Sequence, residues 1–172
     1  MTVLLVALAR DHLDAMAALI EDPDVLRFTR VPEPSPPGFV ESWLASYEKG
    51  RADGTKEAFA IVDEANRFLG LALAPTIDRR ARSVELGYAI APEARGRGIA
   101  TEALRRLTDW AFAELGAMRA ELLIGVDNEA SKVVAKRSGY TYEGTLRSLW
   151  FKQDLRADSE IWSRLPGDPA PE

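Results

Sequence analysis

A strand followed by a glycine-rich turn and a long helix is the feature that most constrains how this chain folds. The strand is Val84–Ile90, Pro92 stops it, and Arg95-Gly-Arg-Gly98 leads into a helix from Ile99 to Leu115. Apolar residues recur along that helix at helical spacing, so one of its faces is expected to pack on a sheet. Glycines let the turn approach a ligand closely, and the unpaired N–H groups at the helix start favour an anion. The unit predicts a pyrophosphate site.

Other interpretations of this turn stay open. It is not a P-loop, because no Gly-Lys-Ser/Thr follows the glycines. A dinucleotide-binding fingerprint requires a glycine or alanine at the position of Thr101. A plain helix start with solvated arginines needs no ligand at all.

The remaining pattern predicts an α/β (α+β) fold: a mixed, mostly antiparallel central sheet with helices on both faces. Residues 1–165 are expected to form one domain, and 166–172 a flexible, proline-rich tail. Besides the unit above, the expected strands are Val3–Ala9, Ala58–Val62, Phe68–Ala74, Ala120–Val126, Tyr142–Phe151 and Ser159–Leu165, and the expected helices are Asp11–Ile20, Phe39–Lys49 and 128–139.

Composition excludes several function classes. The chain has 172 residues, no cysteine and one histidine, His12, so disulfides, a thiolate nucleophile and a histidine-based metal site are not expected. A net charge of −5 argues against non-specific nucleic-acid binding. The longest apolar run, Val3–Ala9, is far shorter than the roughly 20 residues of a membrane span and is expected to be a first strand. These features predict a cytoplasmic protein, and the abundance of arginine and alanine suggests a bacterial source.

Several ordered motifs resemble the GCN5-related N-acetyltransferase (GNAT) superfamily. Arg95, Gly98 and Ala100 fit its Arg/Gln-x-x-Gly-x-Gly/Ala signature, and the resemblance runs from the first strand to about Leu165. The chain looks most like the RimJ/RimL-type branch of ribosomal-protein N-terminal alanine and serine acetyltransferases. The further motifs are Glu85-Leu-Gly-Tyr88, Ala100-Thr-Glu-Ala103, Asn128-Glu-Ala-Ser131, Gly139-Tyr140 and Glu143-Gly144.

The resemblance implies acetyl-CoA as co-substrate and no metal. Its pantetheine arm would pair with the backbone of Tyr88, Ala89 and Ile90, and a neighbouring N–H would polarise the thioester carbonyl. Strand Ala120–Val126 would splay away and open the acceptor cleft. Asn128 would bond the pantetheine arm, although it is also a natural helix N-cap. The pyrophosphate loop would comprise Arg95, Gly96, Arg97, Gly98, Ile99, Ala100 and Thr101.

The same resemblance suggests two catalytic residues. Ser131 matches a proton donor to the CoA thiolate, but a small exposed residue in a first helical turn explains it equally well. Many relatives place a tyrosine acid where this chain has Ala135, and Tyr140 and Tyr142 are expected to pack elsewhere. Glu85 is a candidate base, or a merely solvated carboxylate, and a bulge would change the face that it occupies. The ribosomal enzymes' later glutamate corresponds to a position near Trp150.

These residues predict an N-acetyltransferase that moves acetyl to a primary amine directly, within a ternary complex, because no cysteine or activated serine offers a covalent route. A site without an assured base favours an amine of low pKa, such as a peptide N-terminus near pKa 8, over a lysine near 10.4. The acceptor walls would come from around Leu26, Phe28, Trp43 and Trp150. The expected assembly is a monomer or homodimer, with no nucleic acid or membrane partner. The alternative function is a non-catalytic acyl-CoA-binding module.

Overall fold

The computed structural model describes residues 2–171, which form seven strands and five α-helices. In chain order the elements are β1 (Leu4–Ala7), α1 (Leu13–Leu19), α2 (Pro23–Phe28), α3 (Phe39–Asp53), β2 (Glu57–Val62), β3 (Phe68–Asp78), β4 (Ser83–Ile90), α4 (Ile99–Ala113), β5 (Arg119–Gly125), α5 (Glu129–Arg137), β6 (Thr141–Lys152) and β7 (Leu155–Arg164). Short 3-10 turns at Arg10–His12 and Pro92–Ala94 precede α1 and α4.

All seven strands join one sheet in the order β1-β2-β3-β4-β5-β7-β6. Neighbouring strands are antiparallel except β4 and β5, which are parallel. The β4–β5 connection is α4, as a parallel crossover requires. The predicted mixed, mostly antiparallel sheet is confirmed.

Both faces of the sheet centre are covered. Consecutive residues of β2, from Ala60 to Val62, and of β3, from Leu69 to Ala72, are buried. Since neighbouring residues on a strand point to opposite faces, layers must pack on each side. Helix α4 contacts β1, β3 and β4, whereas α3 contacts β2. The glycine-rich turn therefore follows a strand, β4, that lies beside the buried centre of the sheet and packs against α4.

The short helix α2 corrects the sequence analysis, which treated Asp22-Pro23-Asp24 only as the end of the preceding helix. The Asp22 carboxylate accepts the N–H of Val25 at 3.1 Å, and Pro23 occupies the first helical position. An acidic N-cap followed by proline is the signature of a helix start. The chain therefore breaks and restarts as a helix.

Strand β3 is longer than predicted because a bulge admits Pro75. Its register against β4 shifts between Leu73 and Thr76. These two residues are three positions apart on β3, whereas their partners are two positions apart on β4. A bulge leaves a residue outside the ladder, where the missing proline N–H costs nothing. The bulge lies next to Glu85, which pairs with Thr76.

No helix or strand follows Arg164 in the described part of the chain. The carboxylate of Asp168 accepts the N–H of Leu165 at 2.8 Å, which closes a turn. The predicted flexibility of 166–172 stays a prediction. None of the helices in residues 2–171 is long and apolar enough to cross a membrane.

Candidate active site

The two parallel strands separate shortly after they meet. Strand β4 pairs with β5 only from Ser83 to Glu85, opposite Arg119 to Glu121. Strand β5 instead continues along β7 as far as Gly125. Residues 87–90 of β4 are thus paired with β3 on one side, and none of residues 86–90 has a β5 partner on the other. A gap of this form can accept an extended ligand whose amides pair with the free strand edge.

The glycine-rich turn presents the start of α4 without a side-chain cap. Gly98 is the N-cap residue with φ of 78°, and Gly96 has φ of 71°. A Cβ built on either glycine would have nothing within 4 Å. The first N–H groups, on Ile99, Ala100 and Thr101, have no partner within the helix because they precede its first hydrogen bond. These donors and the adjoining open space fit a phosphate group.

Arg95 faces away from that open space. Its guanidinium donates to the Ile90 carbonyl at 3.0 Å and to the carboxylates of Asp22 and Asp24 at 2.5 and 3.1 Å. The hydrogen bond from Arg95 lowers the pKa of Asp22 below its usual range. The signature arginine therefore ties the end of β4 to the start of α2, and it shapes the loop through these bonds.

Helix α5 begins on the other side of the gap. The Asn128 side-chain oxygen accepts the backbone N–H of Ser131 at 3.1 Å, which confirms Asn128 as the N-cap. That bond leaves the amide NH₂ of Asn128 available to a ligand. The Ser131 hydroxyl accepts a hydrogen bond from the Tyr88 hydroxyl at 3.2 Å. The structure thus brings together β4 and the first turn of α5, as the sequence suggested, but through a side chain that the sequence analysis did not consider.

Glu85 is half-buried, and its carboxylate lies 3.5 Å from the Thr76 hydroxyl. Burial raises its pKa, the charge of Glu121 adds to the increase, and Arg30 opposes it. Glu85 also acts on Tyr47 of α3, whose pKa is raised first by burial and then by that negative charge. The carboxylate therefore lies on the α3 side of the sheet, where a raised pKa makes it a stronger base.

The other tyrosines are placed away from this gap, as predicted. Tyr140 is 4% exposed, and its hydroxyl lies 2.7 Å from the Thr108 hydroxyl in the core. Tyr142 is exposed, and its hydroxyl lies 2.9 Å from that of Thr145. Ala135 is fully buried, and its methyl side chain cannot act as an acid.

The predicted acceptor walls are partly assembled. The Arg30 guanidinium stacks over the Trp150 ring at 5.6 Å, and Trp43 contacts Tyr47 at 4.4 Å between ring centroids. Lys152, near the end of β6, donates to the Leu26 carbonyl at 2.5 Å. The β6–β7 hairpin therefore contacts both α2 and the segment that follows it, where Arg30 is one of the charges that act on Glu85.

Comparison with known proteins decides the family. Residues 2–141 match the family model described as "Acetyltransferase (GNAT) domain". The chain belongs to the GNAT family of acetyltransferases. This match confirms the family that the motifs around Arg95 and Gly98 resemble.

Several curated proteins resemble part of this chain. The Bacillus subtilis protein YdaF, provisionally named a ribosomal N-acetyltransferase, is 37% identical over 52% of this chain and 49% of its own length. The Escherichia coli ribosomal-protein-serine acetyltransferase is 29% identical over 65% of this chain and 62% of its own. The Escherichia coli spermidine N(1)-acetyltransferase is 28% identical over 61% of this chain and 56% of its own. The chain spans about half the length of the first curated relatives that it matches.

Solved GNAT structures share the whole fold. RimL, the ribosomal L7/L12 alpha-N-protein acetyltransferase in complex with CoA, superposes with a TM-score of 0.87 at 20% identity, over 96% of this chain and 94% of its own. The Vibrio cholerae spermidine N-acetyltransferase in complex with CoA and spermine gives a TM-score of 0.84 at 24% identity, over 96% of both chains. At these identities the likeness shows the fold, which confirms the GNAT topology of the sheet.

Sequence reasoning missed two site features. Gly70 has φ of 151°, and a Cβ there would lie 2.2 Å from the Ala89 carbonyl oxygen, so only glycine lets β3 pass this part of β4. An isolated glycine inside an apolar strand pattern was the available signal. The Tyr88 hydroxyl had no such signal, because its partner lies 43 residues away. Among residues 2–171, no cluster of three or more His, Asp or Glu side chains is arranged to hold a metal ion.

Proposed function

We propose that this chain is an acetyl-CoA-dependent N-acetyltransferase that transfers acetyl directly to a primary amine within a ternary complex. The observation that carries the proposal is the free edge of β4 over residues 86–90, which leads into the uncapped start of α4. One ligand with an extended amide arm and a pyrophosphate would use both features. Membership of the GNAT family supports the same reaction.

The binding residues follow from this geometry. Tyr88, Ala89 and Ile90 would pair with the pantetheine arm through their backbone, and an N–H near Ile90 would face the thioester carbonyl. The N–H groups from Gly96 to Thr101 would hold the pyrophosphate, with Arg97 adding positive charge. Asn128 would reach the arm with its free amide NH₂. The bound thioester supplies the activated acetyl group.

Two side chains would handle protons on opposite sides of the gap. Glu85 would take the proton of the acceptor ammonium, and its raised pKa suits it to that role. Ser131 would donate a hydrogen bond to the CoA sulfur as it leaves. The CoA thiol, near pKa 8.5, departs as thiolate at pH 7 for about 2 kcal/mol, so a hydrogen-bond donor assists without being essential.

The acceptor is a protein or peptide N-terminus, or a small-molecule amine. Relatives named for a ribosomal protein and for spermidine both match this chain at similar identity. An α-amine near pKa 8 is roughly a tenth neutral at pH 7, whereas an amine near 10.4 costs about 4.6 kcal/mol to deprotonate. Acceptor amines of low pKa would therefore depend least on Glu85.

CoA release measured against an amine panel tests the proposal. The panel contains peptides beginning with serine or alanine, spermidine and an aminoglycoside, and acetylated product is identified by mass. Transfer to any member above the rate of acetyl-CoA hydrolysis supports the enzyme. If acetyl-CoA raises the Tm but no amine accelerates CoA release, the chain is instead a non-catalytic acyl-CoA-binding module.

A further inference from the structure

A pair of hydroxyls bridges the gap that the separation of β4 and β5 opens. Tyr88 lies on the part of β4 without a β5 partner, and Ser131 lies in the first turn of α5. The Tyr88 hydroxyl donates to the Ser131 oxygen at 3.2 Å. Both side chains are only partly exposed. The pair therefore joins the two elements that would flank the reactive end of the pantetheine arm.

The direction of this hydrogen bond decides what Ser131 can do. A serine hydroxyl has one proton to donate and two lone pairs to accept with. Tyr88 occupies one lone pair, and the bond from the Ser131 backbone N–H to Asn128 does not involve the hydroxyl. No hydrogen bond found within residues 2–171 uses the serine proton. Serines in helices often donate to a carbonyl one turn back, which would withdraw that proton from a ligand.

We propose that Tyr88 is a positioning residue, whose phenol holds Ser131 so that the serine proton points at the sulfur of CoA. The inference rests on the proposed function. The acceptor nitrogen attacks the thioester carbonyl and forms the new C–N bond. When the C–S bond breaks, its electron pair stays on sulfur, and Ser131 stabilises the thiolate through a hydrogen bond while both hydroxyls keep their protons. The acceptor's proton leaves through Glu85 or water, and the thiolate takes a proton from solvent after release.

The chemistry of the phenol suits a constant donor. Burial raises the pKa of Tyr88 above its usual value near 10. The phenol therefore stays protonated throughout the range in which the CoA thiol, near 8.5, titrates. Many relatives place a tyrosine where this chain has Ala135. Here a tyrosine hydroxyl comes instead from Tyr88 on β4.

The pKa of the bound CoA thiol tests this arrangement without any acceptor. Thiolate formation is followed by ultraviolet absorbance in the complex with CoA, using the desulfo-CoA complex as the blank. Donation from Ser131 stabilises the thiolate, so the wild-type complex should titrate about one unit below Ser131→Ala. Tyr88→Phe should raise the thiol pKa above that of wild type by most of the same difference. Tyr142→Phe, at an exposed tyrosine bonded to Thr145, is the matched control and should titrate as wild type.

Steady-state kinetics add a readout that a merely structural role would not move. We expect Tyr88→Phe to lower kcat about tenfold with KM for acetyl-CoA within twofold, and to have no further effect in a Ser131→Ala background. Ser131→Thr, which keeps the hydroxyl, should retain more activity than Ser131→Ala. An equal effect of Tyr88→Phe in both backgrounds, or an unchanged thiol pKa, would overturn the inference. A lowered thiol pKa in a wild type that acetylates no amine would instead overturn the proposed function.

Discussion

The chain offers a matched pair of glycines for testing the phosphate loop. Gly98 begins α4 and Gly38 begins α3 with φ of 78° and 74°, and neither receives a side-chain cap. A Cβ on either glycine would have nothing within 4 Å. Alanine at the two positions should therefore be equally costly for the free protein. Only Gly98 adjoins the N–H groups proposed to hold the pyrophosphate.

The magnitudes separate the two effects. A left-handed backbone costs alanine about 1–2 kcal/mol relative to glycine, which lowers the Tm of a chain of this size by roughly 2–8 °C. Acetyl-CoA at 100 times its Kd stabilises wild type by about 2.7 kcal/mol. If the added methyl weakens binding tenfold, the same concentration stabilises Gly98→Ala by only about 1.4 kcal/mol. Acetyl-CoA at that concentration should stabilise Gly38→Ala by the full 2.7 kcal/mol, to within about 0.3 kcal/mol.

The assay is thermal unfolding of wild type, Gly38→Ala and Gly98→Ala across an acetyl-CoA titration, with direct Kd values from calorimetry. We expect similar Tm values for the two variants without ligand and different values with it. Equal acetyl-CoA-induced shifts in the two variants would refute the assignment of the loop.

Three further predictions concern Glu85, Glu143 and Gly70. Glu85→Gln should lower kcat by about 10²- to 10⁴-fold. It should also abolish the limb of the wild-type pH–rate profile that rises as the Glu85 carboxyl loses its proton, at a pH above the usual range of a glutamate pKa. Parallel pH–rate profiles for wild type and Glu85→Gln, less than about threefold apart, would exclude Glu85 as the base. The ion pair with Arg119 lowers the pKa of Glu143 to about 2, so its contribution to stability is complete above pH 4.5 and is lost as pH falls towards 2. Because the Glu143 side chain is 39% exposed, solvent screening reduces the loss expected from Glu143→Gln to about 1 kcal/mol at pH 7 in urea unfolding. Glu102→Gln, at a surface ion pair with Arg106, should lower the free energy of unfolding by less than about 0.5 kcal/mol. Equal losses for Glu143→Gln and Glu102→Gln would contradict the larger contribution assigned to the ion pair of Glu143 with Arg119. Gly70→Ala should cost about 2–4 kcal/mol of unfolding free energy, since the methyl would meet the Ala89 carbonyl oxygen at 2.2 Å; Gly87→Ala, with open space around its Cβ, should be nearly neutral.

Local patterns predicted the parts of the site that are local in sequence. The β4 strand, the turn from Arg95 to Gly98 and the α4 helix all lie within one stretch, and each has its own signal in strand periodicity, glycines or helical spacing. The Asn128 cap follows from the same kind of signal. These elements appear in the structure within two residues of their expected bounds, the largest difference being the end of α4 at Ala113 instead of Leu115.

What the sequence did not predict depends on partners that are distant along the chain. The Arg95 guanidinium finds Asp22 and Asp24 more than 70 residues away. Tyr88 finds Ser131 across 43 residues. A motif gives the residue type at such positions but not the direction of its side chain, which tertiary packing decides. Helix α2 was missed for a different reason, because Asp22-Pro23 serves equally well to end one helix and to begin another.

Helix α2 now has a clear place in the site, because contacts at both of its ends tie it to the elements around the gap. At its start, Asp22 binds Arg95 of the phosphate loop with its side chain only 12% exposed. Near its end, Arg27 binds Asp127, next to the cap of α5, but these side chains are 62% and 59% exposed. Exposed ion pairs contribute about 0–1 kcal/mol, whereas a shielded, hydrogen-bonded one resists screening. The Arg95 contact is therefore the stronger tie, so the segment that follows α2 is coupled first to the glycine-rich turn and only weakly to α5.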